Sequence, residues 1–384
     1  VLSQMELRLV MVLGLLGQPV AIGSYPQPQS TTTTSLARTA SVVTTTFTET
    51  LSTTTTSLAS VPWFEPTSAS PGQTMNCSLT TYIWDKKSKS SAAGAVAMLR
   101  TRSRHSIALF AGTGPSSGVM TSEQIRWISN HMDIWSLNQF FLHKDLIPDF
   151  YMLEMRTLKE VRSRASNAPY WEMNFDEQKR KRYAKTVFLA RSDHYKLVAK
   201  VLRNGSTCPA ALLAYGWKRT WECRKKVTTA PFDPLAVTDW CATSLSRVFD
   251  IMARLQYSHV ALIGVDLQGP YHFYTPGVNP AYGDIQHPAF EKEVIAFNTK
   301  LYGKKTHATA GRGIVDFIRV FSAVHQIPVI TLVPGGVLAQ GGLPALSPGA
   351  AFAGDGGDMT AIKPLNVTDS SIQKLMQGPA PKKP

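Results

Sequence analysis

The residues best suited to chemistry begin with Gly112-Thr113-Gly114-Pro115-Ser116, which follows directly on the apolar run Ile107-Ala-Leu-Phe-Ala111. A strand that runs into a Gly-x-Gly turn can bring backbone N–H groups to a phosphate or sugar with no side chain in the way. Pro115 fixes the backbone after the turn and Ser116 adds a hydroxyl, so the pattern is Gly-x-Gly-Pro-Ser and not the dinucleotide Gly-x-Gly-x-x-Gly. Taken alone, the stretch reads equally well as a structural turn of an α/β sheet. Four further patches accompany it. Asn138 offers an amide that can read a base or ribose edge. Thr243-Ser244 stands at a helix start, where hydroxyls and free N–H groups hold a carboxylate or phosphate. Gly264-Val265-Asp266 ends an apolar strand, and an acid just beyond such a strand commonly accepts ribose hydroxyls. His307, among Lys304, Lys305 and Arg312, offers a base surrounded by cations. Each also has a plain structural reading: turn residue, helix cap, surface acid, loop histidine.

The elements that must position these residues follow from hydrophobic pattern. Strands are predicted at Ser106–Ala111, Met132–Asn138, Pro148–Glu154, Lys185–Ala190, His259–Gly264 and Pro328–Val333. Helices are predicted over Thr121–Ser129, Asp193–Leu202, Ser244–Gln256 and Gly313–His325, the first capped by Thr121 or Ser122. Strands alternating with helices predict an α/β fold with a mainly parallel sheet covered on both faces, its ligands at the carboxyl ends of the strands.

Composition sets the wider frame. With 384 residues, 43% of them apolar, the chain has material for a real core, and disorder of the whole chain is excluded. A net charge of +14 favours an anionic partner, whether nucleotide phosphate, acidic glycan, nucleic acid or membrane surface. The four cysteines show no C-x-x-C pair, which points away from a zinc or thioredoxin-like site. Cys208 and Cys223 could close a loop in an oxidising compartment, and free buried thiols are the equal alternative.

The start, residues 1–24, has an Arg ahead of a short apolar run and small residues after it, as in a signal peptide or signal anchor. Residues 25–81, with Thr31–Thr34 and Thr53–Thr56 as unbroken runs, read as a Ser/Thr-rich stem of the O-glycosylated kind or an unmodified disordered linker. Sequons at Asn76, Asn204 and Asn366 are compatible with a secretory route. The arrangement predicts anchor, stem and a lumenal domain over 82–340, with 341–384 as a loose Gly/Pro/Ala-rich tail. The basic run Lys179-Arg-Lys-Arg182 reads as a solvated helix face; no aromatic-basic interleaving suggests a nucleic-acid partner.

Together and in this order, the patches resemble glycosyltransferase family 42, the bacterial sialyltransferases that use CMP-sialic acid. The resemblance spans about Ser106 to Gln340. It rests on Ala111-Gly-Thr-Gly-Pro-Ser116 against the family's Ala-Gly-Asn-Gly-Pro-Ser, and on Asp133-Ile-Trp-Ser-Leu-Asn-Gln-Phe140. It continues through Thr243-Ser244 and the following helix into Leu262-Ile-Gly-Val-Asp266, and ends on Val333-Pro-Gly-Gly-Val-Leu-Ala339 against Cys-Pro-Asn-Ser-Leu-Leu-Ala.

The resemblance implies a Rossmann-like domain, a variant of the GT-A type, that moves sialic acid or a related nonulosonic acid from a CMP-sugar donor to a glycan acceptor hydroxyl. It implies inversion at the anomeric carbon and no metal; the anchor, stem and sequons, and not the resemblance, place the chain in the Golgi lumen or outside the cell. His307 would be the general base, with Tyr274 and Lys304 at the leaving phosphate. Gly112, Thr113, Gly114, Ser116, Asn138, Thr243, Ser244, Gly264 and Asp266 would surround the nucleotide. This chain has Thr113, Met152, Cys241 and Gln268 where the family has Asn, Asn, Arg and Tyr. Those replacements keep open a catalytically inactive nucleotide-sugar-binding or glycan-binding domain of the same fold; a second alternative is a cytosolic phosphotransferase of related Gly-x-Gly-Pro-Ser architecture, which the Thr-rich stem disfavours.

Overall fold

The computed structural model describes residues 77–84, 89–154, 168–219, 238–240, 244–267, 271–289, 291–292, 308–352 and 357–377. All lie in the second of two compact units, Ala69–Pro384; the first, Val1–Ser68, falls outside the described residues, as do the expected anchor and most of the expected stem. Among the described residues no helix is long and apolar enough to cross a membrane.

Eight strands form one parallel sheet: β1 (Thr81–Trp84), β2 (Ile107–Ala111), β3 (Asp133–Leu137), β4 (Phe150–Met152), β5 (Val187–Arg191), β6 (Ala211–Tyr215), β9 (His259–Ile263) and β10 (Val329–Thr331). The short pair β7 (Trp217–Arg219) and β8 (Thr238–Trp240) stands apart from it. The spatial order is β1-β6-β5-β4-β3-β2-β9-β10. Every neighbouring pair is parallel, as in β2 and β9, where Ala111 faces Ile263. The predicted α/β, Rossmann-like architecture is therefore the one observed. Each predicted strand is present to within a few residues, while β1 and β6 emerge only in the structure.

Alternation along the strands divides the core between two faces, because successive side chains of a strand point to opposite sides. Leu109, Ala111, Ile134, Tyr151, Phe188 and Ile263 pack on one side with Ile128 of α2 (Ser122–His131), and with Trp171, Tyr183 and Val198. Ala108, Phe110, Trp135, Phe150, Leu189 and Leu262 pack on the other with Leu99 of α1 (Lys89–Arg102), and with Phe249 and Phe321. Helices thus cover both faces, as an all-parallel sheet requires. The first face carries α2, α3 (Ala168–Asn174), α4 (Glu177–Arg182) and α5 (Tyr195–Arg203). The second carries α1, α6 (Ser244–Leu255) and α7 (Ala308–His325). Of the two expected caps, Thr121 and Ser122, it is Thr121 that caps α2, in a full capping box with Gln124.

Three expectations are corrected. Cys208 bonds to Cys77, not Cys223, across a sequence separation of 131; Cys223 and Cys241 lie outside the described residues. The described residues after 341 are not a loose tail: Leu343, Phe352, Met359 and Ile372 are buried. Leu346 N–H donates to the Thr331 carbonyl of β10 (3.0 Å), and Arg319 of α7 donates to Ser371 Oγ at 2.8 Å. Apolar residues spaced through a Gly- and Pro-rich segment were enough to dock it. The basic run is only partly a solvated face. Arg180 donates to the Val201 and Leu202 carbonyls (3.1 and 3.2 Å), Lys179 lies over the Phe141 ring, and Arg182 donates to the Asp145 carbonyl at 3.2 Å.

Candidate functional site

Strands β3 to β6 extend from one side of β2, whereas β9 and β10 extend from the other. This reversal opens a crevice at the carboxyl ends of β2 and β9, the place where open α/β sheets bind ligands. A cleft of about 280 Å³ lies there, lined by the Gly112–Gly114 turn, the Gly264–Leu267 turn and the start of α6.

The glycines act by letting two backbones touch. Gly112 N–H donates to the Ile263 carbonyl at 2.7 Å and Gly114 N–H to the Gly264 carbonyl at 2.8 Å. A Cβ on Gly112 would stand 2.3 Å from the Gly264 oxygen, and one on Gly114 would stand 2.2 Å from Asp266 Oδ2. Gly264 has φ +69° and its own Cβ would meet the Gly112 oxygen at 2.1 Å, so both its conformation and its surroundings require glycine. The turn was expected to offer its N–H groups to a phosphate; those of Gly112 and Gly114 are committed to the neighbouring turn. Ser116 and Asp266 complete the seam. Gly264 N–H donates to Ser116 Oγ at 2.9 Å, and Ser116 N–H to Asp266 Oδ2 at 3.0 Å. Asp266 still lines the cleft.

Ser244, the first residue of α6, also lines it and donates its hydroxyl to Glu154 Oε2 at 2.8 Å. Glu154 in turn pairs with the buried Arg247, which donates to Tyr215 Oη at 3.3 Å. The end of β4 is thereby fastened to the first turn of α6, and Ser244 is held at the cleft edge.

Asn138 lies at the end of β3, outside the cleft lining, in the left-handed region at φ +55°. Its Oδ1 accepts the Glu154 N–H at 3.3 Å and its carbonyl accepts the Tyr151 hydroxyl. It therefore joins β3 to β4, while its neighbour Leu137 faces the cleft. Met152, in β4, is fully buried.

Tyr274 is likewise behind the cleft, only 3% exposed. Burial, with Glu291 nearby, raises its hydroxyl well above the ordinary tyrosine range and keeps it neutral. Its ring stacks on that of His272, with centroids 5.1 Å apart and planes within 11°. His272 is the side chain that spacing alone does not single out. It lines the cleft, and its Nδ1 lies 3.0 Å from Thr113 Oγ1. The Thr113 carbonyl accepts the Phe273 N–H at 3.0 Å, so the Gly-x-Gly turn and the His272 loop are tied by side chain and backbone together. The only hint in the sequence is a histidine inside the aromatic run Tyr271-His-Phe-Tyr274, soon after Asp266.

The site therefore gathers Gly112, Thr113, Gly114, Ser116, Ser244, Gly264 and Asp266 at one crevice and sets Asn138 and Tyr274 one layer back. Thr243, Lys304 and His307 lie outside the described residues. Phe110, Leu137, Leu245, Val265, Leu267 and Ile314 supply the apolar wall. Of the described lining residues, His272 alone can carry a positive charge. Among the described residues no group of three or more His, Cys, Asp or Glu side chains is placed to hold a metal ion. Compared with protein-family models, with curated proteins and with solved structures, the chain matches none.

Proposed function

We propose that the chain is a glycosyltransferase of the sialyltransferase type, which moves sialic acid or a related nonulosonic acid from a CMP-sugar to a glycan hydroxyl in a secretory lumen. One observation carries the reading: Thr113, Ser244, Gly264 and Asp266, far apart in the chain, meet in a single cleft at the β2/β9 switch point. Those are positions the family resemblance gives to the nucleotide. The Cys77–Cys208 disulfide supports a secretory compartment, since such bonds persist where conditions are oxidising.

In this reading Asp266 accepts a ribose hydroxyl and the apolar wall takes the flat faces of base and sugar. The leaving phosphate needs a donor or a positive charge, because anionic charge that develops as a bond breaks is stabilised by groups already aimed at it. With the Gly112 and Gly114 N–H groups engaged elsewhere, this reading gives that task to His272, whose ring is held by Thr113 and Tyr274, together with the start of α6 at Ser244. The acceptor oxygen attacks the anomeric carbon, the bond from that carbon to the phosphate oxygen breaks, and CMP departs with the electron pair. The acceptor's proton passes to a base, the role the resemblance gives to His307.

Titration calorimetry with CMP and with cytidine tests both the site and the role of His272. The wild type is expected to bind CMP at least tenfold more tightly than cytidine, and His272→Ala to lose that preference while still binding cytidine. Retained cytidine binding also reports that the variant is folded. If the wild type binds neither compound, the nucleotide reading fails. If His272→Ala keeps the full preference for CMP, the phosphate lies elsewhere. Binding of CMP with no release of CMP from CMP-sialic acid, with or without glycan acceptors, would make the chain a binding domain and not a transferase.

A further inference from the structure

We propose that Asn366 is an acceptor for an N-linked oligosaccharide, and that among the described sequons it is the one built to carry a glycan. The proposal rests on the secretory reading above. Asn366-Val367-Thr368 lies in a turn ahead of the helix Ser370–Gln377, and residues 366 to 370 are all exposed. Asn366 Oδ1 accepts both the Thr368 N–H (2.9 Å) and the Thr368 hydroxyl (2.8 Å), while its backbone carbonyl accepts the Asp369 N–H at 3.1 Å. An Asn that closes a turn on its own backbone in this way has one edge of its amide committed. The planar amide then turns its nitrogen away from the turn, toward solvent.

Asn204 is exposed as well, but the rest of its sequon is occupied. The Ser206 hydroxyl and N–H both donate to Glu177 of α4, so this sequon closes on a neighbouring helix where that of Asn366 closes on itself. A bulky, strongly hydrated group is tolerated where its first sugar meets water and not a neighbouring helix. None of the residues around Asn366 lines the cleft, so a glycan there leaves the crevice open. The Cys77–Cys208 bond independently suggests the compartment in which such transfer takes place.

In the covalent step, Asn366 Nδ2 forms a bond to the anomeric carbon of an oligosaccharide carried on a lipid diphosphate. The bond from that carbon to the diphosphate oxygen breaks, the lipid diphosphate leaves with the electron pair, and the amide proton passes to a base of the transferring enzyme. Transfer takes place on the entering chain, and the exposure of Asn366 lets the finished fold keep the sugar.

The test expresses the full chain in secretory eukaryotic cells in two forms, one with its own N-terminal residues and one behind a supplied cleavable leader. Both are treated with peptide N-glycosidase, and the modified asparagines are located by peptide mass spectrometry. The leader-directed chain is expected to shift on treatment with Asn366 converted to Asp, and Asn366→Gln and Thr368→Ala are each expected to abolish that shift component. Asn204→Gln is expected to leave it in place. A lumenal, disulfide-bonded chain with Asn366 unmodified would overturn the proposal and leave the secretory reading standing. Modification only behind the supplied leader would support the site and show that residues 1–24 do not by themselves direct entry.

Discussion

At the scale of single residues, the site depends on atoms that are not there. Gly112 and Gly264 lie at the ends of adjacent strands, and each one's missing Cβ makes room for the other's carbonyl. Gly264→Ala would add a methyl 2.1 Å from the Gly112 oxygen at a φ of +69°, so the two turns must separate. Backbone strain of this kind costs roughly 1–3 kcal/mol before the clash is counted. The expected result is a lower melting temperature and loss of the CMP binding proposed for the cleft; a variant that melts and binds like the wild type would show that the seam is not needed. The turn was legible in the sequence as Gly-x-Gly after an apolar run, but the use of its N–H groups was not. That use depends on which strand lies alongside, and β9 begins about 150 residues later in the chain. Asn138 was legible as a polar residue at a strand end for the same reason, and its engagement with Glu154 was hidden because it is set by the register of β3 with β4. His272 could be placed only once Thr113 was beside it.

At the scale of elements, the pattern that could be read was the alternation of buried strands with amphipathic helices, because burial on both faces leaves a strong local signal. Elements whose reasons are non-local were harder to see. Strand β6, Ala-Leu-Leu-Ala-Tyr, sits among basic and cysteine-containing sequence and is a strand because β1 and β5 flank it. One connection between elements makes the fold acid-sensitive. The buried His143 donates from Nε2 to the Ser117 carbonyl at 3.0 Å, and its Nδ1 accepts the Asp145 and Leu146 N–H groups, so the neutral ring pins the turn after Gly114 to the segment after β3. Burial lowers its pKa to about 4, opposed by the Ser117 carbonyl. An unfolded histidine titrates near 6.5. Between these values the unfolded chain binds the proton and the folded chain does not, so stability rises with pH across the window and is lost as pH falls from about 6.5 toward 4. The loss between pH 7 and pH 5 is about 2 kcal/mol from this group. His325, lowered to about 4 by burial and by Arg254, adds a loss of the same sign. Denaturant titrations at the two pH values are expected to show a smaller difference for His143→Gln than for the wild type. An unchanged difference would assign the acid sensitivity to other groups.

At the scale of the whole molecule, the sheet has a weak margin that the disulfide secures. Strand β1 is four residues long, forms one edge of the sheet, pairs only with β6, and leaves Tyr82 and Ile83 exposed. Little but Trp84 commits it to the core, with the Arg254 guanidinium over the indole ring. Cys77 and Cys208 are joined just ahead of the two paired strands, so the bond presents β1 to β6 in register, Thr81 opposite Leu212. Closing a loop of this length restricts the unfolded chain by an amount the chain-entropy account puts near 5 kcal/mol, an upper figure that residual structure reduces. Reduction, or a Cys77→Ser and Cys208→Ser double variant, should therefore lower the melting temperature. Should β1 come away, β6 becomes an open edge, and unpaired edges invite association between chains. The Leu212 N–H bonded to the Thr80 carbonyl and the Gly216 N–H bonded to the Trp84 carbonyl would lose protection first. Hydrogen exchange followed by peptide mass spectrometry can read that loss directly. Fast exchange confined to the 211–216 segment, with the β2, β3 and β9 strands still protected and CMP binding intact, would show that the bond guards the margin and not the crevice. Uniform loss of protection would mean instead that the staple holds the whole sheet, and unchanged protection would mean that β1 needs no staple.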